Sequence, residues 1–540
     1  MSQSFIKKKE KERHIMKMSK RLVATVLSTA MATGLILGNS KISSMRLSAE
    51  EKKPVEISIA IWGADAGLSN PDDPILKQIE EKTGVHLVPQ NVTWDDAEQK
   101  IQLWATNGQL PDVFAGDFVT KSFYGNWIEQ GVIRALPDDL SAYPNLAEHM
   151  KMERAVAASR NGKFYMIPRT TYGDISYSVL DRNIVYRWDL AQAAGITKEP
   201  ETYEEFNEMI KAIIKADPEG KKVSGMTQVL PQLIGGYVYP YAGIIDKKWV
   251  ADKDGKFVPS YFADRDALVS AMQFARDMYQ EGVIEKDIAL AKLETSKEKY
   301  LQGQSAAMVF AWAGPAGLEA NLAKDYDAIY GEGSFLKNNR IAKLYPAKDG
   351  NKYYFIDTEA WSESYISSKV DDEKMAAICR LFDYLYSEEG RRLVYCGIEG
   401  EDYDVVDGKV VMKEGVNLAD KYSFKNSSVG DLAMWNPSSW DVDFPSTISQ
   451  EYKDLTAARH DDAVKNGTLP KYYDDVLFIS TPLKDKFVYN TNDDLLQIMM
   501  GSEDVEKMVD DLFASYESKG LQAMLDEVNK AAADLGIKVK

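Results

Sequence analysis

The segment from residue 55 to residue 117 restricts the possible folds more than any other part of the chain. Its apolar pattern predicts five alternating elements in the order strand, helix, strand, helix, strand: 55–61, 73–83, 85–88, 94–107 and 111–115. Gly84 and Gly108 follow the two helices, as expected of residues that end a helix. This spacing predicts βαβ units with a parallel sheet, and therefore an α/β fold.

Two short motifs follow strands of this predicted sheet. Trp62-Gly63 comes after the first strand, and Gly116-Asp117 comes after the third. In parallel sheets, ligands bind beyond the carboxyl ends of the strands. The sequence therefore predicts a ligand site that includes Trp62 and Asp117.

A second α/β region follows a predicted strand at 162–169. Its helix and strand patterns, in chain order, cover 187–194, 202–216, 264–281 and the strand 305–310. Thr202 with Glu205 three residues later has the spacing of a helix capping box. Beyond it we predict two strand pieces around Trp361 within 353–366, one helix at 373–395 and the last helices at 505–533.

Composition excludes a mostly disordered chain and a polytopic membrane protein. The chain has 540 residues, 45% hydrophobic and 27% charged, which is ordinary for a folded soluble protein of two to four domains. The net charge is −18, and the first 49 residues hold ten Lys or Arg against two Asp or Glu, which leaves −26 on the rest. An acidic surface repels phosphate backbones, so we expect no nucleic acid partner.

The N-terminus has the features of a secretory leader. Lys17, Lys20 and Arg21 precede an apolar run at 22–38, which is short and polar for a stable membrane span. A membrane anchor is the alternative interpretation. Met16 or Met18 would be a more usual start than Met1. We place the leader and its tether at 1–49.

The end of the leader resembles the lipobox of bacterial lipoproteins, with Leu35-Ile36-Leu37-Gly38 in place. Asn39 stands where a lipobox requires the cysteine that carries the lipid, so lipidation there is not expected. The two cysteines of the chain, Cys379 and Cys396, lie far away and do not form a disulfide framework. We predict two buried free thiols, with a single disulfide as the alternative.

Six segments together carry a resemblance to a known family. They are EEKTGVHLVPQNVTWDDAEQKIQLWATNGQLPDVFAGD at 80–117, NGKFYMIPR at 161–169, RWDLAQAAGITKEPETYEEFNEMIKAI at 187–213, KYLQGQSAAMVFAWAGP at 299–315, SEEGRRLVYCGIEGEDYDVVDGK at 387–409 and GSEDVEKMVDDLFASYESKGLQAML at 501–525. In order and spacing they resemble the family 1 extracellular solute-binding proteins of bacterial ABC importers, the carbohydrate type, in its lipoprotein-like Gram-positive subgroup.

The resemblance implies a two-lobed, periplasmic-binding-protein-like type II fold with discontinuous lobes and a hinge. We place 50–168 with 355–400 in the first lobe and 170–350 with 401–540 in the second. The implied function is capture of a carbohydrate, an oligosaccharide, in the cleft and its delivery to an ABC-transporter permease. It also implies a monomer on the extracellular side of the membrane, with no cofactor.

A sugar site needs aromatic rings for the apolar faces of the sugar and polar groups for its hydroxyls. We therefore select aromatic residues at strand ends and in turns, where a large side chain is less often needed to fill the core. With two polar residues at strand ends, the candidate ligand-binding residues are Trp62, Asp117, Arg169, Tyr172, Tyr241, Trp312, Trp361, Trp435 and Trp440.

Motifs for catalysis and for metal binding are missing from the sequence. None of the four histidines pairs with a Glu in a zinc-protease motif, and there is neither a GxSxG elbow nor a Walker loop. Asp217-Pro218-Glu219-Gly220 stands where many relatives have a calcium loop, but Lys221 and Lys222 occupy its later positions. We expect no metal and no enzyme activity. A secreted glycoside hydrolase and a binding protein for peptides or another polar solute are the alternatives.

Overall fold

The computed structural model describes residues 53–426, 428–435 and 437–540, so the predicted leader and the lipobox-like motif lie outside the described residues. Thirteen strands are present in this part of the chain. In chain order they are β1 (Val55–Ala60), β2 (Val85–Pro89), β3 (Val113–Gly116), β4 (Ile167–Thr170), β5 (Asn183–Arg187), β6 (Ser224–Thr227), β7 (Trp249–Ala251), β8 (Phe257–Pro259), β9 (Ser305–Phe310), β10 (Asn339–Ile341), β11 (Ala360–Ile366), β12 (Tyr403–Val406) and β13 (Lys409–Met412).

The first lobe is built on a five-stranded sheet in the order β2-β1-β3-β11-β4. β1 pairs in parallel with β2 and β3, whereas β11 runs antiparallel to β3 and β4. Its helices are Ala64–Gly67, Pro74–Thr83, Ala97–Asn107, Ser122–Glu129, Pro144–His149, Glu153–Ala157, Asp372–Tyr386, Glu388–Cys396 and Leu418–Lys421. The parallel half of the sheet agrees with the βαβ pattern predicted from the sequence.

The second lobe has a four-stranded sheet in the order β10-β5-β9-β6, and β7 with β8 forms a separate hairpin. Its longer helices are Trp188–Ala193, Tyr203–Ala216, Arg265–Gln280, Leu293–Leu301, Lys324–Tyr330, Gln450–Asn466, Thr491–Met500, Val505–Ser518 and Leu521–Asp534. Shorter turns of helix are Ile175–Leu180, Leu230–Leu233, Ile234–Val238, Tyr239–Ala242, Ser260–Ala263, Ile288–Leu290, Pro315–Leu318, Glu319–Ala323, Ser334–Asn338, Pro437–Ser439, Asp474–Leu477 and Lys484–Lys486.

Helix caps explain several of these boundaries. The Asp73 side chain accepts hydrogen bonds from the backbone N–H groups of Ile75 and Leu76 at the start of the first long helix. Thr202 Oγ1 accepts from the Glu205 N–H at 3.1 Å, as the capping-box spacing predicts. In place of the single helix predicted at 373–395 there are two helices, because the backbone of Ser387 between them is extended. Ser387 Oγ accepts a hydrogen bond from Gly390 N–H and so caps the second helix.

The chain crosses between the lobes three times, and the three crossings meet. They are the segments from β4 to β5, from β10 to β11, and from residue 435 to the helix at 450. Thr171 N–H donates to the Glu359 carbonyl at 3.0 Å, and Trp435 N–H donates to the Thr170 carbonyl at 2.9 Å. The hinge region is therefore one hydrogen-bonded unit centred on Thr170 and Thr171.

Each lobe has its own hydrophobic core. One core joins residues from 57 to 167 with residues from 365 to 434, and the other joins 184–356 with 473–532. The predicted lobe ranges stay a prediction, but the packing of one stretch differs from them. Tyr403, Tyr422, Phe424 and Leu432 pack in the first core, whereas the sequence analysis placed 401–434 in the second lobe.

Candidate sugar-binding cleft

Five tryptophans lie together where the lobes meet, and we call Trp62, Trp94, Trp312, Trp361 and Trp435 the tryptophan cluster. Trp94 stacks face to face on Trp62, with ring centroids 4.1 Å apart and planes within 5°. Trp361 and Trp435 lie parallel to both at 5.7–6.4 Å. Trp312, from the second lobe, tilts against Trp94 at 6.5 Å. The cluster joins flat apolar surfaces from both lobes.

Strand ends and special backbone conformations hold these rings. Trp62 follows β1, and Gly63 after it has a left-handed φ of 66°. Trp361 lies in β11 beside a register shift, and its N–H donates to Thr171 Oγ1 at 2.8 Å. The strand is continuous at Trp361, in place of the two predicted pieces. β-Bulges of this kind redirect side chains, and they are common beside functional sites.

Trp312 has a backbone conformation that is unusual for a large side chain. It follows β9 with a φ of 67°, and its N–H donates to Asp181 Oδ1 at 3.2 Å. A left-handed conformation costs roughly 1–2 kcal/mol for a residue other than glycine. Such strain is concentrated at functional sites. Trp312 is nevertheless 42% exposed and Trp94 is 49% exposed, so both rings present surface to a ligand.

The Arg169 guanidinium lies beneath the cluster. Its carbon is 5.1 Å from the Trp62 ring centroid and 4.9 Å from that of Trp435, within cation–π distance. The side chain is fully buried, and none of its three nitrogens has a hydrogen-bond partner. Burial lowers the pKa of Arg169 to about 10. The charge interacts favourably with the ring faces above it, and no surface of the side chain is exposed to a ligand in this arrangement.

A polar cavity of about 480 Å³ lies next to the cluster, and Trp361 forms part of its wall. Asp117, one of the residues selected from the sequence, lines it and lies 3.6 Å from Arg154 Nη2. Arg154 Nε donates to Glu363 Oε1 at 2.8 Å, and Tyr365 donates its hydroxyl to Glu363 Oε2 at 2.6 Å. Burial raises the pKa of the Glu363 carboxyl. Rings beside charged hydrogen-bonding groups form the combination that a sugar requires.

Three predicted aromatic residues pack against other rings instead of joining the tryptophan cluster. Tyr172 and Trp440 are 1% and 4% exposed and contact one another at 5.0 Å between centroids. Tyr241 is half-buried and stacks on Phe274 at 3.9 Å against the second core. The turn-like sequence around each of them did not reveal this burial, because their neighbours come from distant parts of the chain.

Trp94 is the cluster member that the sequence analysis did not select. The sequence pattern predicts a helix at 94–107, but the helix begins at Ala97 and Trp94 lies in the preceding loop. That loop follows β2, just as Trp62 follows β1. Applying the rule for parallel strand ends to the second strand would have found it.

The segment at 217–222 contains cationic side chains where a calcium loop would have ligands. The Lys221 ammonium contacts Glu219 at 2.7 Å, and the Arg187 guanidinium contacts the same carboxylate at 2.9 Å. Asp217 accepts from the backbone N–H groups of Lys222 and Val223. These residues do not fit a calcium ion, because the positive charges of Lys221 and Arg187 already neutralise the Glu219 carboxylate. Within residues 53–540 as described, no cluster of three or more His, Cys, Asp or Glu could hold a metal.

Both cysteines are buried and unpaired, which confirms the prediction of free thiols. Burial raises the pKa of each to about 11, so neither is reactive at neutral pH. In the described part of the chain no helix has the length and apolar content to cross a membrane.

Comparison with known proteins identifies relatives of this architecture. Residues 68–392 match the family model described as bacterial extracellular solute-binding protein. The chain is 21% identical to lipoprotein LipO of Bacillus subtilis over 522 residues, which cover 93% of this chain and 97% of LipO. It is 27% identical to the fructooligosaccharide ABC transporter substrate-binding protein FusA of Streptococcus pneumoniae, over 46% of this chain and 48% of FusA.

A solved structure supports the fold over almost the whole described chain. The S. pneumoniae FusA EF-hand mutant in complex with fructo-nystose matches with a TM-score of 0.66 and 18% identity. The match covers 89% of this chain and 99% of that one. The two-lobed, periplasmic-binding-protein-like α/β fold expected from the sequence is confirmed.

Proposed function

Because the chain belongs to the bacterial extracellular solute-binding protein family, we propose that it captures an oligosaccharide in the cleft and delivers it to an ABC-transporter permease. The observation that carries this proposal is the tryptophan cluster beside the polar cavity. FusA is named for fructooligosaccharides, which agrees with a carbohydrate ligand here. The proposed contacts are the exposed rings of Trp94 and Trp312 and the half-buried rings of Trp361 and Trp435 for stacking, with Asp117 for hydroxyls. Trp62 is 6% exposed and Arg169 is fully buried, so both support the cluster from behind instead of contacting the ligand.

The location of these rings connects binding to movement of the lobes. Trp361 and Trp435 are hydrogen-bonded to the hinge at Thr171 and Thr170, whereas Trp312 approaches from the second lobe. A ligand that contacts all three stabilises the arrangement in which the lobes are close. Hinge closure of this type is how a two-lobed binding protein signals its loaded state. We propose that the permease recognises that state, with the protein acting as a monomer on the extracellular side.

The proposal includes binding without turnover. The cleft residues that we describe hold no nucleophile activated by a neighbouring base, and Glu363 is paired with Arg154. A glycoside hydrolase would use two carboxyl groups on either side of the bond that is cleaved. Recovery of intact oligosaccharide after long incubation is the expected result. Release of products that a single Asp or Glu substitution abolishes would establish the hydrolase alternative.

Thermal-shift measurements against defined oligosaccharides test the proposed ligand class. A ligand at 100 times its Kd stabilises the folded state by about 2.7 kcal/mol, which gives a clear shift. Hits are then titrated by calorimetry against Trp361→Ala. Trp104→Ala is the control, because Trp104 lies partly buried on the helix Ala97–Asn107 outside the cluster. Stabilisation by peptides and by no saccharide would favour the peptide alternative.

Uptake measurements test the transport step separately from binding. A strain that lacks this protein should lose import of the labelled oligosaccharide, and the wild-type chain should restore it. The Trp361→Ala chain should fail to restore import if binding is lost. Normal import without the protein would contradict the transport role while leaving the binding result intact.

A further inference from the structure

The start of strand β5 and the end of strand β9 lie side by side in the second lobe, and a left-handed residue flanks each of them. Asn183 of β5 pairs with Phe310 of β9. Arg182, just before Asn183, has a φ of 51°, and Trp312, beyond the end of β9, has a φ of 67°. A left-handed conformation is disfavoured by roughly fivefold to thirtyfold in a residue other than glycine. Two such residues at one strand end therefore need a compensating interaction.

The Asp181 carboxylate supplies that interaction for both residues. Its Oδ1 atom accepts hydrogen bonds from the backbone N–H of Arg182 at 2.8 Å and of Trp312 at 3.2 Å. A hydrogen bond to a charged acceptor contributes about tenfold to a hundredfold to an equilibrium constant. This contribution is as large as the disadvantage of the left-handed conformation, so one carboxylate is sufficient to hold both residues.

Arg182 balances the charge of this carboxylate. Its Nη1 atom lies 3.9 Å from Asp181 Oδ2, and its Nε donates to Gln232 Oε1 at 2.7 Å. Burial and the nearby Asp357 raise the pKa of the Asp181 carboxyl, whereas the Arg182 charge and the two N–H donors oppose that shift. Arg182 lines the polar cavity and Trp312 belongs to the tryptophan cluster. Asp181 therefore connects the two surfaces of the proposed sugar site.

The direction of the Trp312 ring depends on its backbone, because packing covers the ring incompletely. Trp312 is 42% exposed, and its ring meets Trp94 with centroids 6.5 Å apart and planes tilted by 55°. By contrast, Trp62 and Trp94 stack face to face at 4.1 Å. A ring with this much free surface can turn away from the cluster unless its backbone is fixed.

We propose that Asp181 is a positioning residue of the sugar site, whose carboxylate holds Trp312 in the left-handed conformation that directs its ring at the cluster. This inference rests on the proposed carbohydrate function. Asp181 is 9% exposed and its Oδ1 already accepts two N–H groups, so it acts through Trp312 and not by contact with the ligand. Without the carboxylate the ring would adopt other directions, and the ligand would bind only the fraction of molecules in which the ring is in place.

Substitutions at Asp181 test this role with a saccharide that stabilises the wild type in the thermal-shift screen. Asp181→Ala removes the acceptor, and affinity should fall about fivefold to tenfold, by no more than in Trp312→Gly, which removes the ring itself. Asp181→Asn keeps an oxygen at Oδ1 and should retain most of the affinity. Asp264→Ala is the matched control, because it also removes a carboxylate that accepts two backbone N–H groups in the second lobe, at a helix start. It should leave Kd unchanged.

A double-mutant cycle shows whether Asp181 acts through Trp312. In the Trp312→Gly background there is no ring to position, so Asp181→Ala should cause no further loss of affinity. Asp181→Ser, with a shorter side chain, replaces the alanine variant in the cycle if that variant fails to fold. An equal loss of affinity in both backgrounds would show a general effect on the lobe and would overturn the inference.

Circular dichroism reports the position of the ring without any ligand. Neighbouring indoles with tilted planes couple their electronic transitions and give a circular-dichroism couplet, and the difference between wild type and Trp312→Phe identifies the part that comes from Trp312. Asp181→Ala should lose most of this part, and Asp181→Asn should retain it. A folded Asp181→Ala chain with the wild-type couplet and the wild-type Kd would refute the positioning role.

The two proposals fail in different ways. Saccharide binding that Trp361→Ala weakens and that Asp181→Ala leaves unchanged would preserve the carbohydrate function and exclude the role of Asp181. Absence of saccharide binding by the wild type would contradict the carbohydrate function itself, and the inference about Asp181 would fall with it.

Discussion

Trp312→Gly removes the ring that the second lobe contributes to the tryptophan cluster. Trp312 is 42% exposed, so a little over half of its surface is buried, and the substitution removes that buried surface. A tryptophan buries about 200 Å² when fully covered, and at about 25 cal/mol per Å² the loss is at most about 3 kcal/mol. A realistic unfolded state reduces that value further.

The backbone of Trp312 offsets part of this loss. Its φ of 67° costs a tryptophan or an alanine roughly 1–2 kcal/mol, and glycine adopts it freely. Glycine in turn loses about 0.5–1 kcal/mol of conformational entropy on folding. Trp312→Gly should therefore be as stable as Trp312→Ala or slightly more stable, and both variants should fold. An unfolded Trp312→Gly chain would show that this ring has a core role.

The effect on binding should be larger than the effect on folding. Stacking by one ring contributes about 1 kcal/mol beyond its buried area, so affinity for the oligosaccharide should fall roughly tenfold or more. Calorimetric titration of the wild type, Trp312→Gly, Trp312→Ala and Trp312→Phe measures this, and phenylalanine should retain part of the affinity. A folded Trp312→Gly protein with unchanged Kd would refute the assignment of this ring to the sugar site.

Four further predictions concern other parts of the molecule. Calcium or EDTA should leave the melting temperature unchanged, because Lys221 and Arg187 already neutralise Glu219; a calcium-dependent rise would contradict this. Burial lowers the pKa of His149 to about 4, so on acidification the unfolded chain takes up a proton at this residue before the folded chain does. The free energy of unfolding should therefore fall by up to about 3 kcal/mol between pH 6.5 and pH 4. An equal decrease in His149→Asn would assign the effect to other groups. Mass spectrometry of the mature N-terminus should show a secreted chain without lipid at Asn39, and a lipid-modified N-terminus would show that this prediction is wrong. Cys379 and Cys396 should both react with thiol reagents only after denaturation, since both are buried thiols; rapid labelling of the native protein would contradict their burial.

Sequence alone was sufficient for several local elements. Strand β9 at Ser305–Phe310 agrees with the prediction residue by residue, and Gly84 and Gly108 end the first two long helices in left-handed conformations, as predicted. These features depend on hydrophobic period, capping side chains and glycine, all of which act within a few residues. Trp62 and Trp312 likewise follow predicted strands, each two residues after the last residue of β1 or β9.

Only the tertiary structure decided which of those residues share a site. Trp62, Trp361 and Trp435 are up to several hundred residues apart. Trp361 and Trp435 meet because both are hydrogen-bonded at Thr171 and Thr170, and the end of β1 brings Trp62 against them. Tyr172 and Trp440 have equally turn-like sequences but pack against each other in a core. Tyr403, Tyr422, Phe424 and Leu432 pack in the first core against residues from distant parts of the chain. Long-range packing of this kind leaves no periodic pattern in the local sequence. The sequence therefore predicts where strands end and where aromatic residues lie along the chain, whereas the fold determines which rings are buried and which rings lie together.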